Sequence, residues 1–308
     1  MRNTQAVSPR TRRTPATPVA LAVTAILSVQ FGNAIAGGTF SEVGSLGAAT
    51  LRLVLAASIL MLVIRPRMRG WSRRTWAGVL LLGVGLGGMN ALIYLAIERI
   101  PIGVAVTIEL LGPLAVAVAG TRRARDLAWV ALAAVGVLLL GIDRGGALAL
   151  DGALYAAAAA AFWALYIVAS ARLGATSDDR PAPRGVDALA VAMVVAAVFV
   201  APFGATQATD AVVANPTLVA VFAGIALMTS AVPYALEFIA LKTMPTRVFG
   251  VLSSLGPAVA ALAGLVVLGQ VLSVLQLVAV AAVIVASVGA VVSARQSRDR
   301  PAVVLPLD

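Results

Sequence analysis

Residues 90–120 read NALIYLAIERIPIGVAVTIELLGPLAVAVAG, and residues 234–264 read YALEFIALKTMPTRVFGVLSSLGPAVAALAG. At a fixed offset of 144, without a gap, Pro101 falls on Pro245, Gly112 on Gly256, Pro113 on Pro257 and Gly120 on Gly264. Alanines align cheaply in such a chain, whereas a Gly-Pro pair in mid-helix with a second proline upstream does not. Both copies lie inside apolar runs of membrane length. They read as one kinked hairpin written into each half of a polytopic chain, a pattern that suggests a transporter.

The 308 residues are 61% hydrophobic and only 12% charged, with a mean hydropathy of +1.00. So little polar surface cannot cover a water-soluble fold of this size. The net charge of +10 would suit nucleic acid, but almost all the arginines sit in short loops between apolar runs, so no nucleic-acid partner is expected. The absence of Cys and His excludes disulfides, thiolate chemistry, imidazole relays and His-rich zinc sites. No cofactor or metal is expected.

Apolar runs follow one another at 18–37, 44–64, 76–97, 102–120, 127–142, 150–171, 187–204, 216–241, 247–268 and 271–293. Most approach the ~20 residues that a bilayer requires. The run at 127–142 is the shortest. The fold class expected is an all-α integral membrane protein of ten transmembrane helices, built as two inverted five-helix repeats. Residues 1–16 form a cytoplasmic tail, 17–145 the first repeat, 146–294 the second and 295–308 another cytoplasmic tail. A rival reading makes the first run a secretory signal peptide, with Ala34-Ile35-Ala36 as its cleavage site, which would leave nine spans.

With both termini inside, twenty of the 23 Lys and Arg residues lie in cytoplasmic segments, and two, Arg99 and Arg144, lie in external loops. This bias orients the chain. Span 3 then runs outward to its turn at Glu98–Pro101, while its copy, span 8, runs inward to Lys242–Pro245. An odd number of spans per half turns the second half upside down, the architecture that lets one site face either side in turn.

Three charged residues stand well inside the apolar runs: Arg52, Glu109 and Glu237. Each costs about 2.5–3.5 kcal/mol or more at the bilayer centre and normally faces a cavity or a partner. Glu109 lies eight residues past Pro101, near mid-membrane, and four before Pro113, which frees its backbone carbonyl. Pro257 does the same for the aligned Ser253. Irregular backbone at this depth is tolerated where it lines a cavity; the alternative is a kink for packing. Arg52 either forms a salt bridge with Glu109, or snorkels outward, or joins Glu109 in matching a zwitterion, guanidinium to carboxylate and carboxylate to ammonium. Glu237 either contacts substrate or pairs with Lys242 or Arg247. Asn90 and Tyr94 share a face of span 3, Tyr234 aligns with Asn90, Trp163 and Tyr166 share a face of span 6, and Gln30 and Asn33 lie three apart on span 1. Each pair could line a cavity or bond between helices. Pro101, Gly112, Pro113, Pro245, Gly256 and Pro257 are the expected kinks and hinges. Gly83, Gly85, Gly87 and Gly88 mimic a dinucleotide fingerprint, but no strand precedes them, and close helix packing explains them better.

The runs GGMNALIYLAIERIPIGVAVTIELLGPLAVAV (87–118) and VPYALEFIALKTMPTRVFGVLSSLGPAVAALAGLVVLG (232–269) resemble the EamA branch of the drug/metabolite transporter superfamily. Within it they look most like bacterial inner-membrane threonine/homoserine exporters. The resemblance implies ten helices, cytoplasmic termini, a central cavity and proton-driven export of small amino acids. Two positions depart from the pattern: Gly256 and Gln270 stand where relatives carry acidic residues. Any coupling role of those acids shifts to Glu109.

The expected function is alternating-access export of small amino acids across the bacterial cytoplasmic membrane, by a monomer or homodimer embedded in the lipid bilayer. The substrate site is expected to comprise Glu109, Arg52, Asn90, Tyr94, Trp163, Tyr166, Tyr234, Glu237 and Ser253. The alternatives are an exporter of amphipathic or cationic drugs, a membrane-embedded enzyme acting on lipid, and a non-transporting scaffold. The chain has no native cysteine, so single cysteines test its orientation. In intact spheroplasts a membrane-impermeant maleimide should label Ala147→Cys, and label Arg69→Cys only after permeabilisation. Labelling of both from one side would refute the arrangement.

Overall fold

The computed structural model describes residues 16–119, 124–142, 149–175, 185–241, 244 and 246–296, and the regular structure among them is helical. The helices are α1 (Ala16–Gly37), the single turn α2 (Phe40–Val43), α3 (Ser45–Ile64), α4 (Arg73–Ile97), α5 (Ile102–Glu109), α6 (Leu111–Ala119), α7 (Ala124–Ile142), α8 (Leu150–Ala175) and α9 (Gly185–Ala214). Then come α10 (Thr217–Ala226), a π turn (Leu227–Ala231), α11 (Val232–Leu241), α12 (Thr246–Ser253), α13 (Gly256–Leu268) and α14 (Val274–Gln296). Among the described residues, nine segments are long and apolar enough to cross a bilayer. The tenth expected span falls short: α7 is apolar only over Leu127–Leu140, about 21 Å at ~1.5 Å per residue, because Arg125 and Asp126 occupy its first turn. This is a multi-pass membrane protein.

Local chemistry sets the helix ends. Ser72 caps α4 by accepting the N–H of Thr75 at 3.2 Å. Gly44, with φ +71°, turns the chain into α3, and Gly269, with φ +65°, ends α13 as a left-handed cap. Arg65 ends α3 at φ 49°, directly before Pro66, which cannot continue a helix. α9 runs ten residues past the apolar run that suggested it, through Thr206, Gln207, Thr209 and Asp210. Hydropathy marks where lipid ends, but the helix stops only at Asn215-Pro216.

Lipid offers helices no hydrophobic reward for associating, so van der Waals fit between small residues holds them. α4 lies wedged between α8 and α9. A Cβ on Gly83 would stand 2.7 Å from the Ala192 carbonyl oxygen of α9, and one on Gly87 3.1 Å from that of Ala196. A Cβ on Gly85 would meet the Tyr166 backbone nitrogen of α8 at 3.0 Å, and one on Gly88 would run into the Phe162 ring. The glycine run is a two-sided packing face inside a helix. Further contacts pair α1 with α11 and α13, α3 with α9 and α10, α5 with α13 and α8, α6 with α8 and α14, and α7 with α14.

At the turn between α4 and α5, Arg99 donates to Glu98 at 2.6 Å, to Asp151 at 2.8 Å and to the Leu95 carbonyl at 2.8 Å. Ser45 donates to the same Glu98 carboxylate at 3.0 Å, which ties the ends of α3, α4 and α8 together. Gln270 accepts the N–H of Ile102 at 3.0 Å and closes the start of α5.

Gly112 packs so closely that an added Cβ would collide with the Ala160 carbonyl, whereas Gly224 has nothing within 4 Å. Gly112→Val should therefore cost about 1–3 kcal/mol by overpacking, read as a lower melting temperature in detergent, while Gly224→Ala should melt like wild type. Equal melting of the two would contradict the α6–α8 contact.

Candidate functional site

Two helices break at the same register. α5 ends at Glu109, with Leu110 as its C-cap, and α12 ends at Ser253. At the offset of 144, Ile102 maps to Thr246 and Glu109 to Ser253, so the two short helices start and stop at equivalent residues. The cause lies downstream. Pro113 and Pro257 each lack the N–H that would bond the carbonyl four residues back, and their rings crowd it. The break appears at that carbonyl, one turn before the proline. Pro101 caps α5 and Pro257 occupies the first turn of α13. Pro245 lies outside the described residues.

Between the breaks lies a cavity of about 230 Å³. Glu109, Arg52, Asn90, Trp163, Tyr166, Tyr234, Glu237 and Ser253 line it, with Gly256 and Pro257 beside them. Gln30 and Asn33 of α1 complete the polar wall, and Leu86, Met89, Ile93 and Val106 supply apolar surface. Tyr94 is a correction to the expected lining: it is fully buried, packs on Phe40 at 5.3 Å between ring centroids, and reaches the site only through Arg52. The rotation of α4 aims Asn90 at the cavity and Tyr94 behind its wall.

Arg52 is buried and held by three neutral acceptors from three segments. Its Nε donates to Thr229 Oγ1 at 2.8 Å, and its Nη1 donates to Asn33 Oδ1 and to the Tyr94 hydroxyl, both at 3.3 Å. Its second terminal nitrogen has no partner among the described residues. The ion pairs among those residues are Arg99 with Glu98 and Arg99 with Asp151. Arg52 and Glu109 therefore share the cavity without forming a salt bridge, and the structural ion pair considered for them is absent. Arg52 does not snorkel outward either.

Glu109 is buried at 8% exposure and has no hydrogen-bond or ion-pair partner among the described residues. Asn90 donates to the Leu86 carbonyl at 2.7 Å, and its side-chain oxygen accepts no hydrogen bond among the described residues. Gln30 Oε1 is buried with no partner among the described residues. Ser253 spends its proton on the Phe249 carbonyl at 2.9 Å. Glu237 lines the cavity, while the side chains of Lys242 and Arg247, its proposed partners, lie outside the described residues. No cluster of three or more His, Cys, Asp or Glu that could hold a metal occurs among the described residues. The site thus presents one guanidinium, two carboxyl groups and two amide oxygens without partners among the described residues to a small enclosed volume. Thr229 was missed from sequence; the polar pair Thr229-Ser230 interrupting an apolar run was the available signal.

The EamA-like transporter family matches residues 150–292. The threonine/homoserine exporter RhtA of Salmonella typhimurium strain SL1344 is 39% identical over 290 residues, spanning 93% of this chain and 95% of that protein. The threonine/homoserine exporter RhtA of Escherichia coli K12 is 38% identical over 282 residues, spanning 91% and 92%. Likeness of this extent reaches every cavity-lining helix and leaves neither the lipid-acting enzyme nor the scaffold reading standing: the chain belongs to the EamA-like transporter family.

Proposed function

We propose that this protein exports small zwitterionic amino acids, threonine- or homoserine-like, across the bacterial cytoplasmic membrane by alternating access. The observation that carries the reading is a buried guanidinium and a buried carboxyl in one cavity, neither neutralised by the other. A charge left unpaired in an apolar interior is costly. A substrate bearing a carboxylate and an ammonium relieves both costs at once, and charge-assisted hydrogen bonds of this kind are the strong ones. Arg52 takes the carboxylate and Glu109 the ammonium, while Asn90 and Gln30 offer oxygens to a side-chain hydroxyl. Trp163, Tyr166 and Tyr234 shape the cavity, with Glu237 and Ser253 at its edge. Two relatives named as threonine/homoserine exporters support this substrate class.

The drug-exporter reading fits less well. The cavity of about 230 Å³ is smaller than the ~300–1,000 Å³ pockets that hold drug-sized ligands. Arg52 would also repel a cation.

Alternating access draws support from the packing. Taking α1, α3, α4, α5–α6 and α7 as one repeat and α8, α9, α10–α11, α12–α13 and α14 as the other, exchanging the repeats carries many of the helix contacts onto one another, though not α5–α13 or α6–α14. α4 on α8 becomes α11 on α1, and α4 on α9 becomes α10 on α3. α5 and α6 on α8 become α12 and α13 on α1, while α3–α9 and α7–α14 map onto themselves. Such a map is what an inverted repeat of ten spans with cytoplasmic termini would produce. Rocking of one repeat on the other, about hinges at Pro101, Gly112, Pro113, Pro245, Gly256 and Pro257, would open the cavity to each side. On the return leg a proton on Glu109 would take the place of the substrate ammonium, which couples export to protons.

Counterflow in proteoliposomes tests the reading. Wild-type vesicles loaded with unlabelled homoserine should accumulate labelled threonine saturably. Glu109→Gln should lose counterflow if it holds the ammonium, or lose only pH-gradient-driven transport if it carries the proton. Normal counterflow with unchanged gradient dependence in Glu109→Gln would remove it from the site. Transport of quaternary-ammonium dyes in place of amino acids would favour the drug exporter.

A further inference from the structure

We infer that Thr229, set in place by the π turn Leu227–Ala231, is a positioning residue for Arg52, through which the second half of the chain governs affinity for a substrate carboxylate. This rests on the reading of Arg52 as the carboxylate anchor. A hydroxyl has one proton. Thr229 Oγ1 lies 2.7 Å from the Ile225 carbonyl, which can only accept, so the proton is committed there. The lone pairs are left to receive Arg52 Nε at 2.8 Å, the shortest bond that the guanidinium makes. A bond to Nε fixes the plane of the guanidinium, and the plane decides where the unpartnered terminal nitrogen points.

The π turn puts Thr229 in that position. A π turn holds one residue more than an α turn, and removing one residue would rotate the downstream helix by ~100° about its axis. The wide turn strands carbonyls from their usual partners, and α1 is built to receive one of them: Ser28 Oγ donates to the Met228 carbonyl at 2.6 Å. α1 also carries glycine where the turn bulges. A Cβ on Gly32 would stand 2.6 Å from the Thr229 methyl and 3.1 Å from Met228 Cβ. The methyl is pinned against α1, so the hydroxyl keeps its rotamer toward Arg52. Gly32 and the Ile225 carbonyl converge on the side chain of Thr229, a residue 3% exposed, while Ser28 holds the carbonyl of its neighbour Met228. Arg52 belongs to α3 and Thr229 to the segment that joins α10 to α11, so movement of that segment moves the acceptor.

The test compares inhibition of threonine counterflow by homoserine and by the amino alcohol that remains when homoserine loses its carboxylate. Thr229→Val keeps the shape and removes the acceptor. It should weaken homoserine by about tenfold, as loss of a hydrogen bond to a charged group does, and leave the amino alcohol unchanged. Thr229→Ser should recover most of the loss. Should Thr229→Val fail to assemble, Ser28→Ala should show the same selectivity at a smaller factor. Equal weakening of both inhibitors, or no change in either, would overturn the positioning role while leaving amino-acid transport intact. Failure of the wild type to exchange any amino acid would overturn the carboxylate-anchor reading, and this inference with it.

Discussion

A guanidinium buried among neutral acceptors, with no salt-bridge partner among the described residues, organises this molecule. Arg52 donates one hydrogen bond to each of three segments: α1 through Asn33, α4 through Tyr94 and the π turn through Thr229. Those bonds occupy Nε and one terminal nitrogen without cancelling the charge. In an apolar interior an uncancelled charge is a standing demand for a counter-ion. The nearby carboxyl of Glu109 does not answer it, although both groups face one cavity. A carrier benefits from such separation. Two groups that neutralised each other would have to be pulled apart before substrate could bind, whereas two held apart are relieved by a zwitterion on arrival.

Holding them apart demands rigid, closely fitted walls. α4 supplies one wall and can do so only because Gly83 and Gly87 admit the α9 backbone while Gly85 and Gly88 admit α8. The two proline-broken helices supply another. Their breaks bring Glu109 and Ser253 to equivalent places, where a continuous helix would have kept its carbonyls bonded internally. The π turn is a third local irregularity, answered by Ser28 and Gly32 on α1. Each departure from regular helix lies against the cavity, where satisfying partners are at hand.

Much of the candidate site was legible because a membrane is an unforgiving solvent. In a run of apolar residues a charged side chain cannot hide, so Arg52, Glu109 and Glu237 stood out on cost alone. Pro113 and Pro257 located the helix breaks, since proline removes the bond to the carbonyl four residues back, although Pro202 sits inside the unbroken α9. Orientations around the helix axis were not legible. Asn90 and Tyr94 share a face, but only packing against Phe40 and Arg52 decides that one enters the cavity and the other supports it from behind. Thr229 carries no charge, and although the pair Thr229-Ser230 interrupts an apolar run, nothing in the sequence says that it faces Arg52.

The sequence by itself determined that this chain is a bundle of membrane-crossing helices, where the helices of the repeated segments break, and which charges lie at depth. These properties come from hydropathy, proline stereochemistry and the cost of burying charge, all of which act over a few residues. The tertiary structure alone decided which side chains face one another. The separation of Arg52 from Glu109, the acceptors around the guanidinium and the π turn opposite Gly32 join residues up to 200 positions apart. Their distances depend on how each helix is rotated and shifted against its neighbours, and that is set by the fit of many small side chains at once.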